Sequence, residues 1–435
     1  MTDIPFDDRF AAAAPAAPRA ETPRLGTGAV RAYYDATSPG IMRLAFLGGL
    51  FSILTLGIYR FWYITDLRRQ LWRRSALGGS NFEYTGTAKE IFIGFLIMLA
   101  ILAPLYLLSF LAQLDVGGVF GTIANLVFIF GLFFFIGFAM FRARRYRLTR
   151  TLWRGVRFGQ TGSAAAYALR AMGWGFLTML TATLAFPFYR ASQERYRVNN
   201  TWYGDRKFEC RASGLAMLLP WILFIAAAVL PLVFAVVHVL SIAPIDTLAG
   251  YIQTTAGADG MPKLTLGPNA PAALTAAIGV AIGAAVWLFV APILLWPVYR
   301  AREIRSFMGR TSLGGTTFRS DFSALSIYGS YLLFMLVAAL TFAGLAAVTA
   351  GVLAAVGGFD DMSPAGIVAF AGVYLVAVWL IGTLKTRLVT AALWGKVVTS
   401  VVVDGIEHLS GIGARRDQAS GVGDDFASSY DFGAI

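Results

Sequence analysis

One cysteine, Cys210, and two histidines, His238 and His408, are all the cysteine and histidine in 435 residues. A lone cysteine excludes an intrachain disulfide framework. Two histidines far apart, with no cysteine or carboxylate at ligand spacing, make no metal site. Acid is scarce too: 24 Asp and Glu stand against 36 Lys and Arg, and charged residues make up 14% of the chain, where soluble proteins carry about 25%. The cores of the six long apolar runs assigned below as crossings hold no Asp or Glu. That argues against proton- or sodium-coupled transport, which uses an ionisable group at membrane depth. No nucleophile elbow, phosphate loop or pair of carboxylates on one helix face occurs, and Gly78-Gly79 reads as a helix C-cap turn. The expectation is a protein that is not an enzyme and carries no cofactor.

What the chain has in plenty is apolar length. Hydrophobic residues make up 57% of it, and runs of about 20 apolar residues suit a lipid surrounding. Eight such segments lie near 41–63, 91–113, 119–141, 164–189, 214–240, 272–299, 325–356 and 364–384. The first thirty residues lack the basic start and apolar core of a signal peptide. They read as a loose tail, as does the Gly-, Ser- and Asp-rich stretch 411–435.

The position of the cations sets the expected topology. Leu114–Gly118, Ser241–Pro271 and Gly357–Pro364 hold one cation between them, Lys263, and are expected to face outward. The other connections are dense in arginine and belong in the cytoplasm. Segment 164–189 has a basic stretch at both ends, so a simple crossing would strand one of them outside. Letting it enter and leave on one side removes the conflict. Gly173, Gly175 and Pro187 offer a bend there, and Gly48 and Gly49 offer one in 41–63. The expected fold is an all-α polytopic bundle of six full crossings plus two re-entrant or kinked segments, with both termini cytoplasmic; eight ordinary crossings are the alternative.

A unit recurs along the chain: apolar span, aromatic-Arg exit, basic helix, Gly turn, then a stretch starting with Phe. Leu71–Phe82 (LWRRSALGGSNF) and Phe307–Phe318 (FMGRTSLGGTTF) are its clearest copies, and Arg197–Phe208 is a weaker one. Leu54–Arg60 aligns with Leu184–Arg190 in the two kinked segments. The organisation this implies is a tail over 1–32, a kinked segment plus hairpin over 33–158, a second such repeat over 158–318, a third hairpin and cytoplasmic helix over 318–410, and a tail over 411–435. Alternating stretches at Phe82, Phe158, Phe208 and Phe318, flanked by Tyr33-Tyr34 and Val401–Val403, read as short cytoplasmic strands.

The run LTLGIYRFWY (Leu54–Tyr63), followed by RRQLWRRSALGG and FEYTGTAKEIF (Phe82–Phe92), resembles the bacterial inner-membrane family typified by YjgN. The likeness covers about 33–330, and the later units are degenerate. It implies a bacterial inner-membrane location and carries over no catalytic residues. The expected partners are the bilayer, anionic phospholipid headgroups and a small solute, with no nucleic acid. Each Lys or Arg near an anionic leaflet contributes about 1 kcal/mol. Arg60, Arg142, Arg190 and Arg300, at the aromatic-Arg exits, are the expected cytoplasmic vestibule. The expected role is a conduit for a small or anionic solute, with a non-transporting envelope scaffold or lipid-binding protein as the alternative.

Overall fold

The computed structural model describes residues 24–25, 28–37, 39–114, 118–256, 262–355, 364–409 and 412–413. Most of the two expected tails lies outside these residues. The described residues form two compact units, one over Gly214–Glu303 and one from the parts of the chain on either side of it.

The larger unit opens with strands β1 (Arg24–Leu25), β2 (Ala29–Arg31) and β3 (Tyr33–Tyr34), helices α1 (Ile41–Leu54) and α2 (Arg60–Arg73), and strands β4 (Ser75–Leu77) and β5 (Ser80–Tyr84). The long helices α3 (Ala88–Leu114) and α4 (Val119–Thr149) follow, then β6 (Thr151–Trp153), β7 (Val156–Gln160), α5 (Ala164–Leu180), α6 (Phe186–Asn199), β8 (Thr201–Tyr203) and β9 (Arg206–Cys210). The smaller unit holds α7 (Leu215–Ile242), α8 (Ile245–Tyr251), the hairpin β10 (Ile252–Ala256) and β11 (Pro262–Leu266), and most of α9 (Ala272–Met308). The larger unit resumes with β12 (Thr311–Leu313), β13 (Thr316–Ser320), α10 (Ala324–Ala355) and α11 (Pro364–Lys385). A π-turn (Thr386–Ala391), α12 (Ala392–Thr399), β14 (Val401–Asp404) and a 3-10 turn (Ile406–Leu409) end the described chain.

Among the described residues, six helices are long and apolar enough to cross a membrane: Ala88–Leu111, Gly121–Thr149, Leu215–Ile242, Ala272–Met308, Ala324–Ala354 and Gly366–Thr399. Large apolar side chains such as Phe133, Phe234, Phe289 and Leu340 are exposed along them, which is compatible with a lipid surrounding. The 14 residues of α1 and 17 of α5, at about 1.5 Å per residue, fall short of a hydrocarbon core about 30 Å thick.

The fold is not all-α. A twelve-stranded antiparallel sheet runs in the order β1-β2-β14-β13-β12-β9-β8-β7-β6-β5-β4-β3. Its eleven strands from β2 to β3 almost close on themselves, because β2 and β3 are successive pieces of one stretch, Ala29–Tyr34, which pairs with β14 on one side and β4 on the other. Strand β2 therefore lies within the expected tail 1–32. Four hairpins supply most of the ring: β4-β5, β6-β7, β8-β9 and β12-β13, each a three-residue strand, a two-residue turn and a five-residue strand. In each, the residue opening the first strand donates its hydroxyl to the carbonyl four residues earlier: Ser75 to Leu71, Thr151 to Arg147, Thr201 to Arg197 and Thr311 to Phe307, at 2.7–3.0 Å. That bond joins each helix end to its strand.

Aligned cross-strand pairs fill the ring. Trp153 faces Phe82, Tyr203 faces Phe158, Leu313 faces Phe208, and Val403 faces both Phe318 and Val30. Leu77, Trp153, Tyr203, Leu313 and Val403 are buried in one cluster with Leu409 and Ile412. It is a packed core rather than a pore, as in other small closed sheets. The Trp153 indole donates to the carbonyls of Leu77 and Ser80 at 3.2 Å, and the Tyr203 hydroxyl donates to the Trp153 carbonyl at 3.0 Å. Residues 406–409 and 412–413 lie over hairpin turns: Ile406 against Gly78, His408 against Gly315, and Gly413 against Gly204.

Candidate functional site

Helices α1 and α2 pack against each other as a helical hairpin, and so do α5 and α6. The reversals fall at 55–59 and 181–185, not at the expected glycines. Gly48 and Gly49 lie inside α1 because neighbours need their space: a Cβ on Gly48 would stand 2.2 Å from the Tyr63 ring, and one on Gly49 would stand 3.0 Å from Trp379. Gly173 and Gly175 lie inside an unbroken α5. Pro187 sits in the first turn of α6, where its missing N–H costs nothing. The residues at each reversal take positive φ, Leu56 and Gly57 in the first, Ala182 and Thr183 in the second. The tips are apolar and exposed, Leu56 to 96% and Met179 to 81%.

A cavity of about 500 Å³ lies against the first hairpin. Its walls come from α1 (Ala45, Gly49, Ile53), α2 (Arg60, Tyr63, Arg68, Trp72), α4 (Arg147), α11 (Val378, Trp379, Gly382, Lys385), the π-turn (Thr386, Thr390) and α12 (Trp394). A π-turn at such a place is a common mark of functional helices. Four cations line the cavity, and its described lining has no Asp or Glu. Asp66, also on α2, ion-pairs with Arg69 at 3.4 Å. Glu90 is engaged by Arg150 at 2.5 Å and by the Tyr146 hydroxyl at 2.7 Å.

The walls are held firmly. Trp72 stacks on Trp394 with centroids 4.5 Å apart. Their indoles donate outward to sheet hydroxyls, Thr151 and Ser75, at 2.9 Å each. The Trp379 indole donates to the Phe46 carbonyl at 2.7 Å, tying α11 to α1. The Tyr63 and Thr386 hydroxyls are 2.7 Å apart. Arg68 is buried, with the Tyr84 hydroxyl 3.4 Å from its Nη1. Arg147 feels the like charges of Arg68, Arg144 and Arg197. Burial lowers the pKa of Arg60, against the influence of Tyr63. A pocket of rigid aromatics and clustered cations attracts anions and fixes their orientation, since guanidinium forks match phosphate and carboxylate oxygens.

Residues 31–356 match the family described as "Bacterial protein of unknown function (DUF898)". The chain belongs to this family. No curated protein and no solved structure matches it. The DUF898 match takes in both hairpins, the ring strands from β3 to β13 and Arg60, Arg68 and Arg147, while Lys385 and Trp394 lie beyond it.

Of the four arginines expected to form a vestibule, Arg60 alone lines the cavity. Arg142 lies over the Phe138 ring, 5.5 Å from its centroid. Arg190 stands near Glu194 and Tyr167 on the second hairpin's side. Arg300 belongs to the smaller unit, where it ion-pairs with the fully buried Glu303. The sequence reading missed Arg68, Arg147, Lys385 and Trp394, which come together only through tertiary packing.

Proposed function

We propose that this DUF898 protein is a multi-pass membrane protein that binds a phosphate-class anion in the cavity beside its first helical hairpin. The observation that carries this reading is the set Arg60, Arg68, Arg147 and Lys385 around one cavity with no carboxylate in its described lining. In this reading the six long helices cross the bilayer, and the two shorter hairpins enter and leave on the face that carries the ring. The basic connections around the ring favour the cytoplasmic side, the six apolar helices support a membrane setting, and the family is bacterial. The matched strand lengths of the four hairpins and the matched reversals support descent from a repeated unit.

A second reading is passage of a small or anionic solute past the hairpin, favoured by Gly57 and Ile53 of the hairpin forming part of the cavity wall. Binding is tested first. The purified full-length protein is titrated with inorganic phosphate, against chloride at equal ionic strength, with the fluorescence of Trp72, Trp379 and Trp394 as the signal. A saturable response at least 10-fold weaker in Arg68→Gln/Lys385→Gln is expected. A wild-type protein that does not respond, or a double variant that responds equally, overturns the assignment.

A further inference from the structure

Resting on the anion-binding reading, we propose that the occupant is lipid-borne: the phosphate-bearing headgroup of an anionic phospholipid, with an acyl chain lying along α1 and α11. A free phosphate would leave most of the cavity empty, because 500 Å³ is the size of sites that enclose drug-sized ligands. The lining is also divided by polarity. Cations and hydroxyls come from α2, α4, the end of α11 and the π-turn, whereas Ala45, Gly49 and Ile53 of α1 and Val378 and Gly382 of α11 supply an apolar wall. An amphipathic ligand satisfies both parts.

The apolar wall is continuous with lipid-facing surface. Phe46 and Leu54 on α1 and Tyr374 and Val378 on α11 are exposed, and Gly57, a cavity residue, adjoins the exposed Leu56. Small residues keep this side open. A Cβ built on Gly382 or Gly57 meets no atom within 4 Å. A chain leaving between α1 and α11 would therefore pass from the cations into the bilayer without crossing a polar barrier.

Position 374 separates the lipid from a free anion. Tyr374→Asp places a charge on the exposed face of α11, one turn from Val378 and outside the cavity lining. The full-length protein is reconstituted with phosphatidylglycerol or with phosphatidylcholine and extracted into detergent, and retained lipid is counted by native mass spectrometry; phosphate binding is followed in parallel by tryptophan fluorescence. The wild type is expected to retain phosphatidylglycerol over phosphatidylcholine. Tyr374→Asp is expected to lose that retention about 10-fold while binding phosphate normally, and Arg68→Gln/Lys385→Gln is expected to lose both. Phosphate binding without selective lipid retention overturns the lipid assignment and leaves the anion site standing. Absence of both overturns the two together. Phosphatidylglycerol retained equally by wild type and both variants would mean lipid held elsewhere and overturns the proposal.

Discussion

Thr55 and Thr181 make the same two hydrogen bonds in two separate helix reversals. Each Oγ1 donates to the carbonyl four residues back, Phe51 at 2.6 Å and Leu177 at 2.8 Å. Each also accepts from the amide four residues on, Tyr59 at 2.9 Å and Ala185 at 3.0 Å. The backbone bonds correspond as well: Gly57 N–H to the Ser52 carbonyl matches Thr183 N–H to the Thr178 carbonyl. Replacing either threonine by valine keeps the shape and removes both bonds, at a cost of about 1–2 kcal/mol each. Thermal unfolding of the purified protein is expected to shift downward by similar amounts for Thr55→Val and Thr181→Val.

Thr183 holds φ +72° where the first reversal has Gly57 at +92°. A β-branched residue there is strained, so Thr183→Gly is expected to raise the unfolding temperature, by the equivalent of about 1 kcal/mol. The reciprocal Gly57→Thr is expected to lower it. Differential scanning measurements on the two variants check the pair.

The ring core makes a different demand. Trp153 is almost fully buried, between Phe82 and Tyr203. Trp153→Ala is expected to cost about 3–5 kcal/mol. Asn81→Ala, at an exposed site on the neighbouring strand, is expected to stay within about 0.5 kcal/mol of wild type. Denaturant unfolding followed by near-ultraviolet circular dichroism separates the two.

Stability is expected to depend on pH at both extremes. Burial pushes the Tyr203 hydroxyl up from 10.0 to about 12, against the nearby charge of Arg154. The contribution of neutral Tyr203 is fully present below about pH 10 and lost as pH rises towards 12. Glu194 moves the other way: burial alone would raise its pKa, but Arg197 and Arg144 outweigh it and hold the carboxyl below its ordinary 4.5. Its contribution is present above that value and lost as pH falls through the lowered pKa. Unfolding temperatures of Tyr203→Phe and Glu194→Gln across pH are expected to flatten the alkaline and the acid limb respectively.

The long helices were legible in the sequence because they are apolar all round over about 20 residues or more, and that signal needs no knowledge of neighbours. The strands at Phe82, Phe158, Phe208 and Phe318 were legible from alternation. The hairpin at Arg147–Phe158 was not recognised as a further copy, since Trp153-Arg154-Gly155 replaces the Leu-Gly-Gly of Leu77-Gly78-Gly79. Glycine misled the reading of the reversals: Gly48 and Gly49 serve close packing, and the turn signal is Leu-Thr, at 54–55 and again at 180–181. Matching Tyr59-Arg60 to Tyr189-Arg190 therefore set the two hairpins four residues out of register. Ring closure through β14 and β2 and the cation cavity both depend on residues hundreds of positions apart, such as Val30 with Val403 and Arg68 with Lys385, and no local pattern records such pairs.

Side-specific labelling decides whether the two hairpins return to the ring face. Single cysteines are placed at the exposed ring positions Asn81, Lys207 and Thr317 and at the tips Leu56 and Met179; the buried native Cys210 contributes little background. An impermeant maleimide is expected to label all three ring positions from the cytoplasmic side only, and to reach neither tip from either side. Ring positions that label from opposite faces, or a tip that labels freely from outside, would contradict the re-entrant architecture.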